Sequence, residues 1–129
     1  KALIIEVFPE LSFETSEDFE GFQTFITENK PTGFVVADDR LALQVREYLQ
    51  QQHLRVPEDI SLISFNNSVF ATLSHPFLTT VDIHVKELAK QAAMLIIHYL
   101  QEPETLMSKV IVPHEVVERE TVKKMNQNA

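Results

Sequence analysis

The chain has 129 residues, a net charge of −8, 44% hydrophobic residues and 23% charged ones, which suits one domain with a real core and not two. The only clustered basic pair is Lys123-Lys124, so this acidic segment has no electrostatic footprint for phosphate backbones and is not expected to bind DNA or RNA by itself. There is no cysteine, which removes disulfide and thiol chemistry, and no apolar run near the roughly 20 residues that span a bilayer, so a cytoplasmic address with no membrane contact is expected.

In chain order, Ala2 to Phe8 is an apolar run suited to a buried strand, stopped by Pro9. Phe13 then sits in a loop, where an aromatic could stack on a ligand. Thr15 or Ser16 can cap a helix carrying Phe19, Phe22 and Ile26 at helical spacing with Phe25 beside them, closed by Asn29-Lys30-Pro31. The stripe is expected to be core. Phe34 to Ala37 and Ile60 to Phe65 are apolar runs without alternation, which predicts strands buried on both faces. Between them Leu41 to Gln52 reads as a helix, making a βαβ unit with parallel strands. Ser68 to Ser74 fits one or two helical turns, Leu78 to Ile83 a strand, and Val85 to Gln101 a long helix with Leu88, Ala92, Leu95, Ile96 and Tyr99 as its apolar stripe. Lys109 to Val112 and Glu115 to Val117 are two short β-like runs. The alternation predicts a doubly wound, mostly parallel α/β domain over 1–122, with 123–129 a flexible tail. Because the first residue is Lys1, the chain reads as a piece of something longer.

The two predicted parallel strands end on polar pairs, Asp38-Asp39 and Asn66-Asn67, at one carboxyl edge, where open α/β sheets bind ligands. Asp39 is expected to cap the following helix, and Asp38, one step earlier, to face a cleft. Carboxylates and carboxamides there suit polyhydroxylated ligands, because one accepts paired hydroxyls and the other both donates and accepts. Other chemistry finds little support. Average usage would give roughly nine glycines, and only Gly21 and Gly33 occur, so neither a phosphate loop nor a serine elbow can be written. The five histidines show no i, i+3 or i, i+4 pairing, so no metal site, no cofactor and no enzymatic activity are expected. A phosphorylated receiver domain is disfavoured because Asn66-Asn67 stands where its acceptor aspartate belongs.

The stretches PTGFVVADDRLAL, LRVPEDISLISFNN, HPFLTTVDI and VIVPHEVVERET occur in the order and spacing of one family. From about Pro31 to Thr121 the chain resembles the carboxyl-terminal part of the effector-binding region of LacI/GalR-family transcriptional repressors. LTTVDIHVKELAKQAA is similar to maltose-operon repressors of Gram-positive bacteria. The resemblance implies a periplasmic-binding-protein-like type I subdomain, with the upstream subdomain and the DNA-binding helix-turn-helix missing here. It implies that Asp38 and Asn66 face a sugar or sugar-phosphate effector, with Phe13 as an aromatic partner, and that Asp39 is structural. Asn66 departs from the family's usual Asp, and Asp82-Ile83 stand where a Gln is common. The resemblance also implies a homodimer through Leu41, Val45, Val69, Phe70 and Leu73, operator DNA being contacted only through the missing headpiece. The alternatives are a sugar-binding protein of a transporter with the same fold, or an interaction module whose pocket is lost.

Overall fold

The structure is a computed structural model that describes residues 16–124. The expected strand from Ala2 to Phe8, Phe13 and the last five residues lie outside the described residues. Helix α1 spans Ser16–Asn29, α2 Asp39–Gln51 and α3 Val85–Gln101. Strands β1 (Gly33–Val35), β2 (Ser61–Phe65), β3 (Thr79–Asp82) and β4 (Glu115–Val117) form one sheet in that order. The first three are parallel and β4 is antiparallel to β3. The chain is thus an α/β domain with a mostly parallel sheet.

The local chemistry accounts for the boundaries. Lys30 takes φ 46° just before Pro31, which ends α1. Asp38, in extended conformation, starts α2, whose Ala42, Val45, Tyr48 and Leu49 fall on one face and are buried. That face packs on Leu62 of β2, with Phe22 of α1 completing the core; the Phe22 ring lies 5.1 Å from Phe34 and 5.5 Å from Tyr48. Tilted aromatic pairs of this kind add about 1 kcal/mol each beyond the area they bury. Ser68 to Ser74 contains a single 3-10 turn, Val69–Thr72.

Two expectations need correction, and a third element has unexpected surroundings. The first two strands are not buried on both faces: Val35 is 73% exposed, and burial along β2 alternates, with Leu62 and Ser64 buried and their neighbours half-buried. Helices α1 and α2 cover one face only. Lys109–Val112 forms no strand, since no described neighbour supplies a hydrogen-bonding ladder. Helix α3 has no fully buried residue: of its apolar stripe, Leu88, Ala92 and Ile96 are exposed and Leu95 and Tyr99 half-buried, and Met94, Ile97 and Leu100 are exposed as well.

The chain end is stitched to the amino side of the sheet. The buried Thr121 hydroxyl accepts from the Thr79 amide (2.8 Å) and donates to the Leu62 carbonyl (2.7 Å), while the Thr121 carbonyl accepts from the Leu62 amide (2.7 Å). The Lys123 amide donates to Ser61 Oγ at 3.1 Å. Anchored this way, the chain returns on the amino side, and among the described residues Asp38 and Asn66 at the carboxyl edge stay half-exposed.

Candidate functional site

Three parallel strands deliver their last side chains to this carboxyl edge. Asp38 follows β1, Asn66 follows β2 and Asp82 ends β3. The structure therefore puts Asp38 and Asn66 on the same edge, at the tips of adjacent strands.

The helix cap falls one residue earlier than expected. Asp38, not Asp39, is the helix cap: its Oδ1 accepts from the Leu41 amide at 2.8 Å. Asp39 is already inside the helix and only 1% exposed. Its Oδ1 accepts from the hydroxyls of Ser64 (2.6 Å) and Thr80 (2.7 Å), and its Oδ2 from the amide (2.6 Å) and hydroxyl (2.8 Å) of Ser68. Four donors make burial of this carboxylate tolerable. They also bind α2, β2, β3 and the segment after β2 into one block. Asp39 is structural, although not as a cap.

Asn66 and Asn67 both take left-handed conformations, with φ 96° and 48°. A non-glycine residue is strained there, and asparagine tolerates it best. Their side chains then diverge. The Asn67 carboxamide is tied down, donating to Asp82 Oδ2 at 2.9 Å and accepting from Arg119 Nη2 at 2.6 Å. The Asn66 amide N–H is held by the Val81 carbonyl at 2.9 Å, while among the described residues no group hydrogen-bonds its half-buried carboxamide. Hydrogen bonds from the Asn67 side chain and then from the His84 amide hold Asp82 below the usual carboxylate range. The edge thus offers fixed acceptors, one uncommitted carboxamide and a half-exposed Asp38 carboxylate, a set suited to hydroxyl groups.

Sequence reasoning missed Asn67, Ser64, Ser68, Thr80 and Arg119 as supports of this edge. Only the second asparagine carried a signal, as half of the polar pair; the others meet Asp39 or Asn67 through strand pairing.

The interface candidates separate. Val69 and Leu73 are 72% and 62% exposed, and Phe70 is partly exposed beside them. Leu41 is half-buried against the core. Val45 is a correction: at 1% exposure it sits inside the core, because α2 turns that face to the sheet.

A cleft of about 520 Å³ lies at the opposite edge, lined by Arg46, His53, Arg55 and His75 among others. Its cations are already committed. Arg46 donates to the carbonyls of Ser74 (3.1 Å) and Pro76 (2.7 Å), and Arg55 pairs with Asp59 at 2.9 Å.

A family model described as the periplasmic binding protein-like domain matches residues 7–122. The chain is 30% identical over 122 residues to the HTH-type transcriptional regulator RegA of Clostridium saccharobutylicum, covering 91% of this chain and 37% of that protein. Among solved structures, a LacI family transcriptional regulator from Bifidobacterium animalis subsp. lactis superposes with TM-score 0.69 at 28% identity, over 80% of this chain and 38% of that one. One from Enterococcus faecium, with bound ribose, gives TM-score 0.70 at 25% identity, over 82% and 40%. The chain therefore spans about two-fifths of the length of these relatives. They are regulators, which does not favour the transport-protein alternative.

Proposed function

The chain belongs to the periplasmic binding protein-like domain family, and from that membership we propose that it is the effector-sensing and dimerising part of a bacterial, sugar-responsive, LacI-type transcriptional repressor. It is a non-enzymatic, cytoplasmic module. Residues 1–122 form the carboxyl-terminal subdomain, the tail follows, and an upstream subdomain with a DNA-binding headpiece completes the parent protein. The apolar face of α3 supports that reading, since among the described residues no element fully buries it and an amphipathic helix suits a partner surface.

The observation that carries the effector role is the Asn66 carboxamide, held on a strained backbone at the carboxyl edge with no hydrogen-bond partner among the described residues. Asp38 keeps one carboxylate oxygen on the helix cap and offers the other to ligand hydroxyls. Phe13 is the proposed stacking partner. A sugar or sugar phosphate binding better to one arrangement of the two subdomains shifts the dimer between operator-bound and released states. Val69, Phe70 and Leu73, with Leu41 beside them, form the proposed symmetric contact.

The test is thermal unfolding of the parent protein against a panel of mono- and disaccharides and their phosphates. A binding sugar raises Tm with its concentration, and Asn66→Gly, which keeps the left-handed backbone and removes only the carboxamide, abolishes the shift. A panel with no shift, or an unchanged shift in Asn66→Gly, overturns the reading.

A further inference from the structure

The end of β3 and the start of β4 set two like charges against each other. Asp82 and Glu115 are register partners in the antiparallel pair. Carboxylates directly opposite on neighbouring strands repel, and sheets normally avoid the arrangement. Among the described residues no lysine or arginine forms an ion pair with either one, although Arg119, held on Asn67, favours the ionised Asp82 from farther off. His84 completes the group, its Nδ1 lying 3.4 Å from Asp82 Oδ1. One potential ligand atom from each of Asp82, His84 and Glu115 lies within 4.8 Å of the other two.

We propose that Asp82, His84 and Glu115 bind one divalent transition-metal ion of the zinc class where β3 leaves the sheet. Ligand atoms about 2.1 Å from a tetrahedral zinc lie roughly 3.4 Å from one another. The Asp82–His84 spacing already meets this. Glu115 is exposed and has the freedom to swing the remaining distance. One imidazole nitrogen with two carboxylates favours zinc over magnesium or calcium, which take all-oxygen shells. Three protein ligands leave a fourth position for water.

The surroundings are those of a supported ligand. Asp82 Oδ2 accepts from Asn67 Nδ2 at 2.9 Å, and Asn67 is itself held by Arg119 at 2.6 Å. Such outer partners fix the orientation of a ligating carboxylate. The His84 amide donates to Asp82 Oδ1 at 2.7 Å, which ties the two ligands to each other, and lone pairs remain on both oxygens for a cation. Histidine spacing along the chain gives no hint of this site, because Glu115 reaches it only through strand register. The site borders the ligand edge through Asp82 but uses neither Asp38 nor Asn66, so zinc binding by the chain and the sugar-dependent shift lost in Asn66→Gly can fail independently.

Calorimetric titration of the chelator-treated chain with zinc chloride tests it. The expected result is one zinc per chain, with calcium competing poorly. Glu115→Gln and His84→Asn each weaken binding at least about tenfold; asparagine is chosen because position 84 has φ 51°. His53→Gln and His114→Gln bind as the parent does, and circular dichroism shows every variant folded. The proposal is overturned if the chain shows no saturable zinc binding, if both ligand variants bind normally, if calcium competes equally, or if His114→Gln is the variant that loses zinc.

Discussion

The Ser68 amide hydrogen points at Oδ2 of Asp39, with nitrogen and oxygen 2.6 Å apart across 29 residues of sequence. The same carboxylate holds Ser64 and Thr80, so one buried side chain joins the ligand edge to the exposed apolar segment that follows β2. Asparagine keeps one acceptor oxygen but sets an NH2 against the two donors that met the other. Asp39→Asn is therefore predicted to cost about 3 kcal/mol. The check is urea unfolding, where the midpoint falls with little change in slope. A loss well under 1 kcal/mol contradicts this account of the network.

Asp38 combines a structural and a proposed binding role, and two substitutions separate them. Asp38→Ala removes the cap and is predicted to lower stability by about 1 kcal/mol. Asp38→Ser keeps a capping oxygen and should stay close to the parent in denaturant unfolding. If binding uses the second carboxylate oxygen, Asp38→Ser in the parent protein nevertheless loses sugar affinity, read by calorimetry.

Glu120 fastens the loop before β3. It accepts from the Phe77 amide at 2.6 Å and sits 2.8 Å from His75 Nδ1, and these bonds, the amide first, hold its carboxyl below the usual range. Asp59 is lowered to about 2, first by the Arg55 side chain. A carboxyl with a depressed folded pKa binds fewer protons folded than unfolded near pH 4, so its stabilisation is present above that range and lost as pH falls through the folded value. Unfolding midpoints should therefore drop from about pH 5 downward. Glu120→Gln should flatten part of that slope; an unchanged slope removes Glu120 from the account.

Phe70→Asp and Val45→Ala distinguish surface from core. In light scattering, Phe70→Asp is predicted to convert the proposed dimer into a folded monomer, whose unfolding midpoint no longer rises with protein concentration. Val45→Ala leaves a void under α2 and should cost about 2 kcal/mol while leaving the mass unchanged. The reverse pattern would move the interface onto α2.

The central βαβ unit was legible because each boundary has a local cause: Pro31 after α1, a capping carboxylate before α2, an apolar run for each strand. Helix α3 was legible to the residue for the same reason. What local pattern could not show is where a face goes. The apolar stripe of α3 predicts burial, yet no described element fully buries it. The cap on Asp38 in place of Asp39 is a shift of one residue in the helix start, below what sequence resolves. Val45 was placed at an interface by resemblance, although its helical spacing with Ala42 and Leu49 already assigned it to the core. The meeting of Asp82 with Glu115 is a matter of strand register, which no spacing along the chain reveals.

The side-chain amide of Asn67 also has a chemical lifetime, since its loss as ammonia leaves a succinimide and then an aspartate. Asparagine followed by a small residue is prone to deamidation, in which the next backbone nitrogen attacks the side-chain carbonyl. Here that nitrogen's hydrogen is committed to Asp39, and the carbonyl oxygen is held by Arg119 while the amide nitrogen is held by Asp82. Ageing at this position is consequently coupled to unfolding. Peptide mass spectrometry of samples stored just below and just above the melting range should find Asn67 intact in the first and converted in the second, and Asp39→Asn should bring that conversion to lower temperature.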